Sequence, residues 1–396
     1  MLEAQQRFSY FMSDDAEPVH EHNPLWDTAL PLARHQHTDT DGAPSGDVLT
    51  YGEYFKAVSK FIDAHLSDFL SKAIFHSVKR TQSPHKISRI HIHLEKHGAF
   101  YHPARLVLSL PDGNVTLVVN VAVSMVGKKT IKDEYRHLKR LAGRSFHPWV
   151  PAVFGFDKIR VDRQRSVQMF LGEWFQGFHE FHLSETDDSG VLGIRVWDPK
   201  NGSLFLSRRQ TQRVFEQAAM ILTAYYNIET FEQIDAWHHA AGDFVVCVQE
   251  HEPRVKLNTV RRYEPLFKLS GEIDTLETIL NTLLIFLLKM SIRLRIDRMD
   301  GVGDMAWIGM DIVEAIIRGF FNGLVLQAKA SRIPHALIDA FKAFLLRLPE
   351  TDIRDIFKGL VHQIDPKNPD LPVITSNLDL HMEAVLSGIR KMKTTL

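Results

Sequence analysis

Two adjacent histidines and an aspartate form the most chemically capable group of side chains in the sequence. They belong to the stretch Asp235-Ala-Trp-His-His-Ala-Ala-Gly-Asp243, and the apolar run 244–248 follows directly. Polar residues separate this run from a second one at 255–260, which predicts a polar loop followed at once by a β-hairpin. We therefore expect any active centre in this loop, with His238, His239 and Asp243 as its candidate residues. The alternative is that these side chains make only structural hydrogen bonds.

The composition is that of an ordinary globular protein. Apolar residues make up 44% and charged residues 24% of the 396 residues, enough for a large core. The 47 basic and 48 acidic side chains leave no overall field to attract nucleic acid or an acidic membrane. One cysteine, Cys247, excludes an intrachain disulfide and fits a reducing compartment, so we expect a cytoplasmic protein. The apolar stretch 279–292 contains Asn281 and Lys289 and is short for a membrane span, which predicts a buried helix.

The first half of the chain predicts a sheet. Residues 1–48 are polar and rich in turn residues, so we expect a loose tail there. Apolar residues at helical spacing predict a helix over residues 50–77. Residues 87–124 alternate with period two and predict a three-stranded antiparallel meander. A helix over 130–141 and strands at 153–159 and 166–174 follow.

The second half predicts a mainly helical region. Residues 175–206 are irregular, apart from one hairpin near residues 194–206. A helix begins beyond Ser207, and the histidine loop with its hairpin 244–260 is the only predicted interruption. From residue 276 onward the pattern is almost wholly helical. The predicted helices are 276–293, 305–326, 334–346, 351–364 and 377–393.

Several short motifs accompany this order of elements. They are Leu94-Glu-Lys-His-Gly98, Val121-Ala-Val-Ser124, Lys132-Asp-Glu-Tyr135, Leu171-Gly-Glu-Trp174, the stretch 238–246 and Val255-Lys-Leu-Asn-Thr259. The element order and these motifs resemble the protein-kinase-like fold over residues 87–390. More narrowly, they resemble small-molecule phosphotransferases of the aminoglycoside-kinase type.

The resemblance implies an α+β fold with two lobes. An antiparallel sheet would form the N-terminal lobe over residues 49–175, and residues 176–396 would form a mainly helical C-terminal lobe. ATP, with Mg²⁺, or another small-molecule ligand would lie in the cleft between the lobes. Neither nucleic acid nor a membrane is expected as a partner.

The resemblance also implies site residues. Asp243 would hold Mg²⁺, and His238 or His239 would act as base. Gly98 would lie in the turn that covers the nucleotide phosphates, Glu134 would pair with the third-strand lysine, and Glu173 would lie in the hinge that meets the adenine edge. The full set of predicted cofactor-binding positions is Gly98, Ser124, Lys128, Glu134, Glu173 and Thr259.

The sequence departs from the family pattern at these positions. Phosphoryl transfer in this fold uses a lysine on the phosphates, carboxylate or amide metal ligands, and a base. Ser124 occupies the position where the family has its phosphate-binding lysine, and Lys128 is the nearby residue that could replace that lysine. Asn258 or Thr259 occupies the second metal position, although neither is a strong ligand for a hard cation.

Three functions remain open. The first is a kinase-like binding module that has lost phosphoryl transfer, and the second is an active small-molecule phosphotransferase that uses ATP and Mg²⁺. The absent lysine and second carboxylate favour the first, whereas Glu134, Gly242 and Asp243 favour the second. The third is a metallohydrolase based on His238, His239, Asp243 and His251, which no distant ligand cluster supports.

Overall fold

The structure, a computed structural model, describes residues 7–31, 48–79, 83–98, 100–143, 148–186, 191–199, 201–235, 243–249, 252–267 and 275–393. The chain forms two units. The sheet unit comprises Met1–Gly143 and Pro151–Gln176, and the helical unit comprises Arg144–Val150 and Gly177–Leu396. The α+β fold class predicted from the sequence is confirmed.

A six-stranded sheet forms the centre of the sheet unit. The strands are β1 (Phe8–Met12), β2 (Arg89–Leu94), β3 (Ala104–Leu110), β4 (Gly113–Ala122), β5 (Val153–Arg160) and β6 (Ser166–Glu173). Their spatial order is β1-β2-β3-β4-β6-β5, and every pair except β1–β2 is antiparallel. The predicted meander is confirmed as β2–β3–β4, because alternating apolar residues bury one face of each strand.

Strand β1 corrects the expectation of a loose tail over residues 1–48. Phe8–Met12 pairs in parallel with β2. Tyr10 anchors the strand, since its ring packs 5.0 Å from that of Phe55 and its hydroxyl group lies 3.1 Å from Ser59 Oγ. Local sequence patterns do not reveal this strand, because a single short strand depends on a partner far away in the chain.

Helices cover both faces of the sheet. Helices α1 (Tyr51–Ala64) and α2 (Ser71–Val78) pack on the face that contains the main apolar core, and a π-helical turn, Leu66–Leu70, joins them. A capping box between Thr50 and Glu53 fixes the start of α1. Helix α3 (Met125–Ala142) contacts β4, β5 and β6, and its Tyr135 ring lies 6.1 Å from that of Phe170. The α3 position matches the sequence prediction.

The helical unit is built around two closely packed helices, α4 (Arg208–Ala224) and α6 (Val313–Lys329). Between them in sequence lies α5 (Leu276–Arg293), which includes the apolar stretch 279–292. The unit ends with α7 (His335–Arg347), α8 (Glu350–His362) and α9 (Leu371–Lys393). Within the described ranges, no helix is long and apolar enough to cross a membrane.

Short strands connect these helices. The pairs are β7 (Phe181–Glu185) with β8 (Leu192–Val196), β8 with β9 (Leu204–Phe205), β10 (Glu232–Asp235) with β13 (Arg262–Pro265), β11 (Phe244–Gln249) with β12 (Glu252–Leu257), and β14 (Ile296–Arg298) with β15 (Met305–Trp307). The predicted hairpin after the histidine loop is confirmed as β11–β12.

Two of these pairs correct the prediction of a purely helical region. Strands β14 and β15 lie where only helices were expected, and the helix predicted to begin at residue 305 begins at Val313. Gly301 has φ +76°, and the turn around it lets the chain reverse between the two strands. A strand pair at this point, like the β10–β13 pair, is not part of the element order that carried the kinase-like resemblance.

Candidate functional site

Two strand pairs bracket the histidine loop. Strands β10 and β13 pair antiparallel, with Asp235 opposite Arg262, so the two ends of the segment between them are brought together. Inside this segment, β11 and β12 pair in register with Phe244 opposite Leu257. His238 and His239 lie in the stretch 236–242, outside the described residues. The described part of the candidate site is therefore Asp243 and the residues around it.

Asp243 is bound by an arginine that sequence reasoning missed. The Arg261 guanidinium group donates to both carboxylate oxygens, from Nη2 to Oδ1 at 2.8 Å and from Nη1 to Oδ2 at 3.1 Å. The Asp243 side chain is 5% exposed and that of Arg261 is 18% exposed. Such a two-point contact is among the stronger forms of ion pair in proteins. Arg261 lies one residue before β13, and the β11–β12 hairpin together with the pairing of β13 and β10 brings it to Asp243.

The antiparallel hairpin places Asn258 beside Asp243. The Asn258 backbone amide donates to the Asp243 carbonyl at 2.8 Å, as the register of β11 and β12 requires. Asn258 itself is exposed and Thr259 is half-buried. The sequence prediction that one of these two residues lies across from Asp243 is confirmed for the Asn258 backbone.

Asp235, at the other end of the loop, also lies near two cations. Its carboxylate is 3.6 Å from Arg262 Nη2 and 3.7 Å from Lys289 Nζ. Burial lowers the pKa of Lys289, although the nearby Asp235 raises it. Three basic residues, Arg261, Arg262 and Lys289, thus lie around the two aspartates that flank the histidine stretch.

The carboxylate at the predicted Mg²⁺ position already faces an arginine, since the Arg261 guanidinium contacts both oxygens of Asp243. Within the part of the chain that the structure describes, no three side chains of His, Cys, Asp or Glu converge on one point, as a metal site made of protein ligands alone would need. For the metallohydrolase hypothesis, His238, His239 and His251 all lie outside the described residues.

In the sheet unit, the turn after β2 is closed by its own backbone. The Gly98 amide donates to the Tyr101 carbonyl at 2.9 Å, and the Glu95 amide donates to the Pro103 carbonyl at 3.0 Å. The predicted role of Gly98 is to approach nucleotide phosphates, yet its amide is used within the turn.

Two histidines connect this turn to helix α1 through hydrogen bonds. The Nδ1 atoms of His97 and His102 are 3.1 Å apart and share a hydrogen bond. His97 Nε2 lies 3.3 Å from the Tyr51 hydroxyl oxygen, and the Tyr54 hydroxyl donates to the His102 carbonyl at 2.9 Å. Burial, together with the nearby His97, lowers the pKa of His102 to about 4, so the pair is neutral at pH 7.

Ser124 begins helix α3. Its Oγ accepts a hydrogen bond from the Gly127 amide at 3.0 Å, which is the usual role of a serine at a helix N-cap. Lys128, the predicted substitute for the lysine, is half-buried one turn into the helix. Glu134 lies on the buried side of the same helix and is 2% exposed. A carboxylate this deeply buried is uncommon in proteins.

Glu173 lies at the end of β6 and forms hydrogen bonds with Ala152, just before the start of β5. Its backbone amide donates to the Ala152 carbonyl at 2.8 Å, and its Oε2 accepts from the Ala152 amide at 3.2 Å. His76 Nε2 lies 3.7 Å from the same carboxylate oxygen. At this predicted hinge position, both the backbone amide and the side chain of Glu173 therefore serve the strand pairing.

No protein-family model and no curated protein matches the chain. Two solved structures are similar to it at 10% sequence identity each. One is WaaP in complex with acyl carrier protein, with a TM-score of 0.26 over 64% of this chain and 85% of that chain. The other is the Drosophila melanogaster PAN3 pseudokinase, with a TM-score of 0.25 over 74% of this chain and 64% of that chain. Scores this low do not establish a common fold, so the proposal below rests on the chain's own elements and contacts.

Proposed function

We propose that this chain is a divergent kinase-like protein that acts as a binding module and does not transfer phosphate through Asp243. The order of elements supports the kinase-like part of the proposal. Strands β2, β3 and β4, helix α3, strands β5 and β6, helix α4 and the loop–hairpin segment follow one another as in the family that the sequence resembles. Strands β14 and β15 depart from that order and count against a close relationship to the family.

The bidentate contact between Arg261 and Asp243 carries the proposal. A guanidinium group is always charged, and its planar fork matches the two oxygens of a carboxylate. It supplies the positive charge that a divalent metal would otherwise supply. A metal ion that took the place of Arg261 would have to displace a partly buried guanidinium group from its ion pair, which costs free energy.

The sheet unit gives independent support. At the position where the family has a lysine, Ser124 caps a helix, and the Gly98 amide is bonded within its own turn. Neither group is placed as the family's phosphate contacts require. A nucleotide or other small molecule bound by such a protein would be held without the Mg²⁺ bridge.

The second candidate function is an active small-molecule phosphotransferase that uses ATP and Mg²⁺. The burial of Glu134 favours it, because a buried carboxylate on this helix is what the family uses to hold its phosphate-binding lysine. In this case His238 or His239 would act as base, Asp243 would exchange Arg261 for Mg²⁺, and Lys128 would replace the lysine.

Thermal melting with ATP, with and without Mg²⁺, tests the proposal. A ligand that binds only the folded protein raises the melting temperature. We expect any increase caused by ATP to be independent of Mg²⁺, and we expect no release of the γ-phosphate. An increase that requires Mg²⁺, together with turnover that Asp243→Asn abolishes, would establish the phosphotransferase instead.

A further inference from the structure

A small sheet in the helical unit presents an arginine that is held rigidly and has no acidic partner among the described residues. Strand β8 lies between β7 and β9, and Arg195 on β8 pairs with Phe205 on β9. The Arg195 guanidinium carbon lies 4.2 Å from the centre of the Trp197 ring and 5.9 Å from that of Phe205. Its Nε donates to Ser203 Oγ at 2.8 Å. Stacking and this hydrogen bond fix the plane of the guanidinium group.

Other arginines of the same unit have carboxylate partners. Arg208 lies 3.0 Å from an Asp311 oxygen, Arg209 lies 3.3 Å from a Glu252 oxygen, and Arg213 lies 3.2 Å from a Glu216 oxygen. Among the residues that the structure describes, no carboxylate lies within ion-pair distance of Arg195. The planar fork of its Nη1 and Nη2 groups matches the two oxygens of a carboxylate.

Two exposed aromatic rings share the sheet face of this arginine. Trp197 and Phe205 are each more than a third exposed, and both rings lie against the Arg195 guanidinium group. Leu204 is also exposed but pairs with Val196, so it lies on the opposite face. Aromatic rings beside a fixed cation can contact both apolar and charged groups of a ligand. Strand β9 is also an edge strand, since it pairs with β8 and is last in the order of its sheet.

The chain covers only one part of this sheet face itself. His182 on β7 pairs with Arg195 and lies on the same face. The turn containing Gly301 packs on His182, so close that a Cβ atom at Gly301 would lie 2.7 Å from His182 Nε2. Asp297 also lies 3.3 Å from His182 Nδ1, which ties this turn to β7. The β7 side of the face is thus occupied, whereas Trp197 and Phe205 on the β8–β9 side are exposed.

We propose that the β8–β9 surface, made of Arg195, Trp197 and Phe205, binds an extended peptide segment that carries an acidic residue among apolar ones. Charge complementarity selects the acidic residue, because its carboxylate would complete the fork of Arg195. Apolar side chains of the peptide would cover Trp197 and Phe205. The open edge of β9 would receive the peptide backbone as an added strand, a common way of binding extended segments.

Selection of short random peptides on the full-length chain tests this proposal. We expect the enriched peptides to contain Asp or Glu beside aromatic or aliphatic residues. An enriched peptide, labelled with a fluorophore, is then titrated by anisotropy against the wild type and Arg195→Gln. Loss of the charged contact should weaken binding at least about tenfold. Replacing the acidic residue of the peptide by its amide should weaken wild-type binding equally and cause no further loss with Arg195→Gln.

Arg209→Gln is the matched control, because Arg209 is an exposed arginine of the same unit that already has a carboxylate partner. This control should bind the peptide as the wild type does, and both variants should melt as the wild type does. The proposal is overturned if no peptide is enriched, if the enriched peptides lack acidic residues, or if Arg195→Gln binds them equally well. Displacement of the peptide by inorganic phosphate at low concentration would indicate a small-anion site instead. Self-association that Arg195→Gln removes would identify a second copy of the chain as the occupant.

Discussion

The guanidinium group of Arg261 contacts both oxygens of Asp243 in the buried base of the loop–hairpin segment. Both side chains are largely buried, and removing one member of a buried ion pair leaves the other unsatisfied.

Asp243→Asn and Arg261→Gln should therefore each lower the free energy of unfolding, by about 2–4 kcal/mol. The double variant should lose less than the sum of the two by about 1–3 kcal/mol, since the two groups act as a pair. Urea denaturation of the four proteins measures both effects. Arg262→Gln is the control, because its side chain is 54% exposed and its loss should change stability little. Strictly additive losses would show that the contact contributes nothing.

We expect the protein to lose stability in acid because of the pair His97–His102. Burial and His97 lower the pKa of His102 to about 4 in the folded chain, whereas an unfolded histidine titrates near 6.5. The unfolded state therefore binds a proton first as the pH falls. The contribution of His102 is fully present above pH 6.5 and is lost progressively between pH 6.5 and 4, up to about 3 kcal/mol.

Thermal unfolding between pH 7.5 and 4, for the wild type and His102→Gln, measures this contribution. The variant should have a shallower acid dependence than the wild type. His20→Gln, which removes an exposed histidine, should leave the slope unchanged. Parallel curves for the wild type and His102→Gln would show that His102 titrates normally.

The stability of the helical unit should depend on an arginine, and not merely a positive charge, at position 295. It is 1% exposed, its Nε donates to the Ile308 carbonyl at 2.8 Å, and its Nη1 lies 3.0 Å from His381 Nδ1. It also stacks 4.7 Å from the centre of the Trp307 ring. A lysine has one compact charged group and cannot make all these contacts.

We expect Arg295→Lys to lower the free energy of unfolding by about 2–4 kcal/mol. The surface change Arg209→Lys, at a side chain that is 83% exposed, should alter it by less than about 0.5 kcal/mol. Chemical denaturation compares the two. Equal effects would mean that the buried contacts of Arg295 do not contribute to stability.

Glycines in two helices of the helical unit should respond to alanine in opposite directions. A Cβ atom at Gly319 on α6 would lie 2.1 Å from the Glu216 carbonyl oxygen of α4, so Gly319→Ala must push the two helices apart. We expect a loss of about 2–3 kcal/mol. At Gly359 on α8, a Cβ atom meets nothing within 4 Å. Gly359→Ala should therefore raise stability by about 0.5–1 kcal/mol through helix propensity. The melting temperatures of the two variants test this prediction. A lower melting temperature in both variants would contradict it.

Local periodicity predicted the parts of the fold that depend on neighbouring residues. The alternation over residues 87–124 gave β2, β3 and β4, and the paired apolar runs gave the hairpin that places Asn258 beside Asp243. These features follow from side chains a few residues apart. The sequence alone therefore predicted that Asn258 and Asp243 lie side by side in the candidate site.

Long-range pairing decided the rest. Strands β10 and β13 have four residues each, too few for a clear pattern, yet their pairing brings Arg261 to Asp243. Strand β1 is visible only once its partner β2 is known. The one sequence signal for Arg261 was the basic pair Arg261-Arg262 just beyond Asn258, and nothing in its spacing linked it to Asp243.

Titration with Mn²⁺, a spectroscopic substitute for Mg²⁺, tests most directly whether Asp243 serves Arg261 or a metal ion. The free Mn²⁺ concentration is measured by electron paramagnetic resonance in the presence of ATP, for the wild type and for Asp243→Asn. Circular dichroism first confirms that the variant is folded. We predict the same free Mn²⁺ concentration with both proteins. Stoichiometric binding of Mn²⁺ with ATP by the wild type, lost in the folded Asp243→Asn variant, would contradict the account.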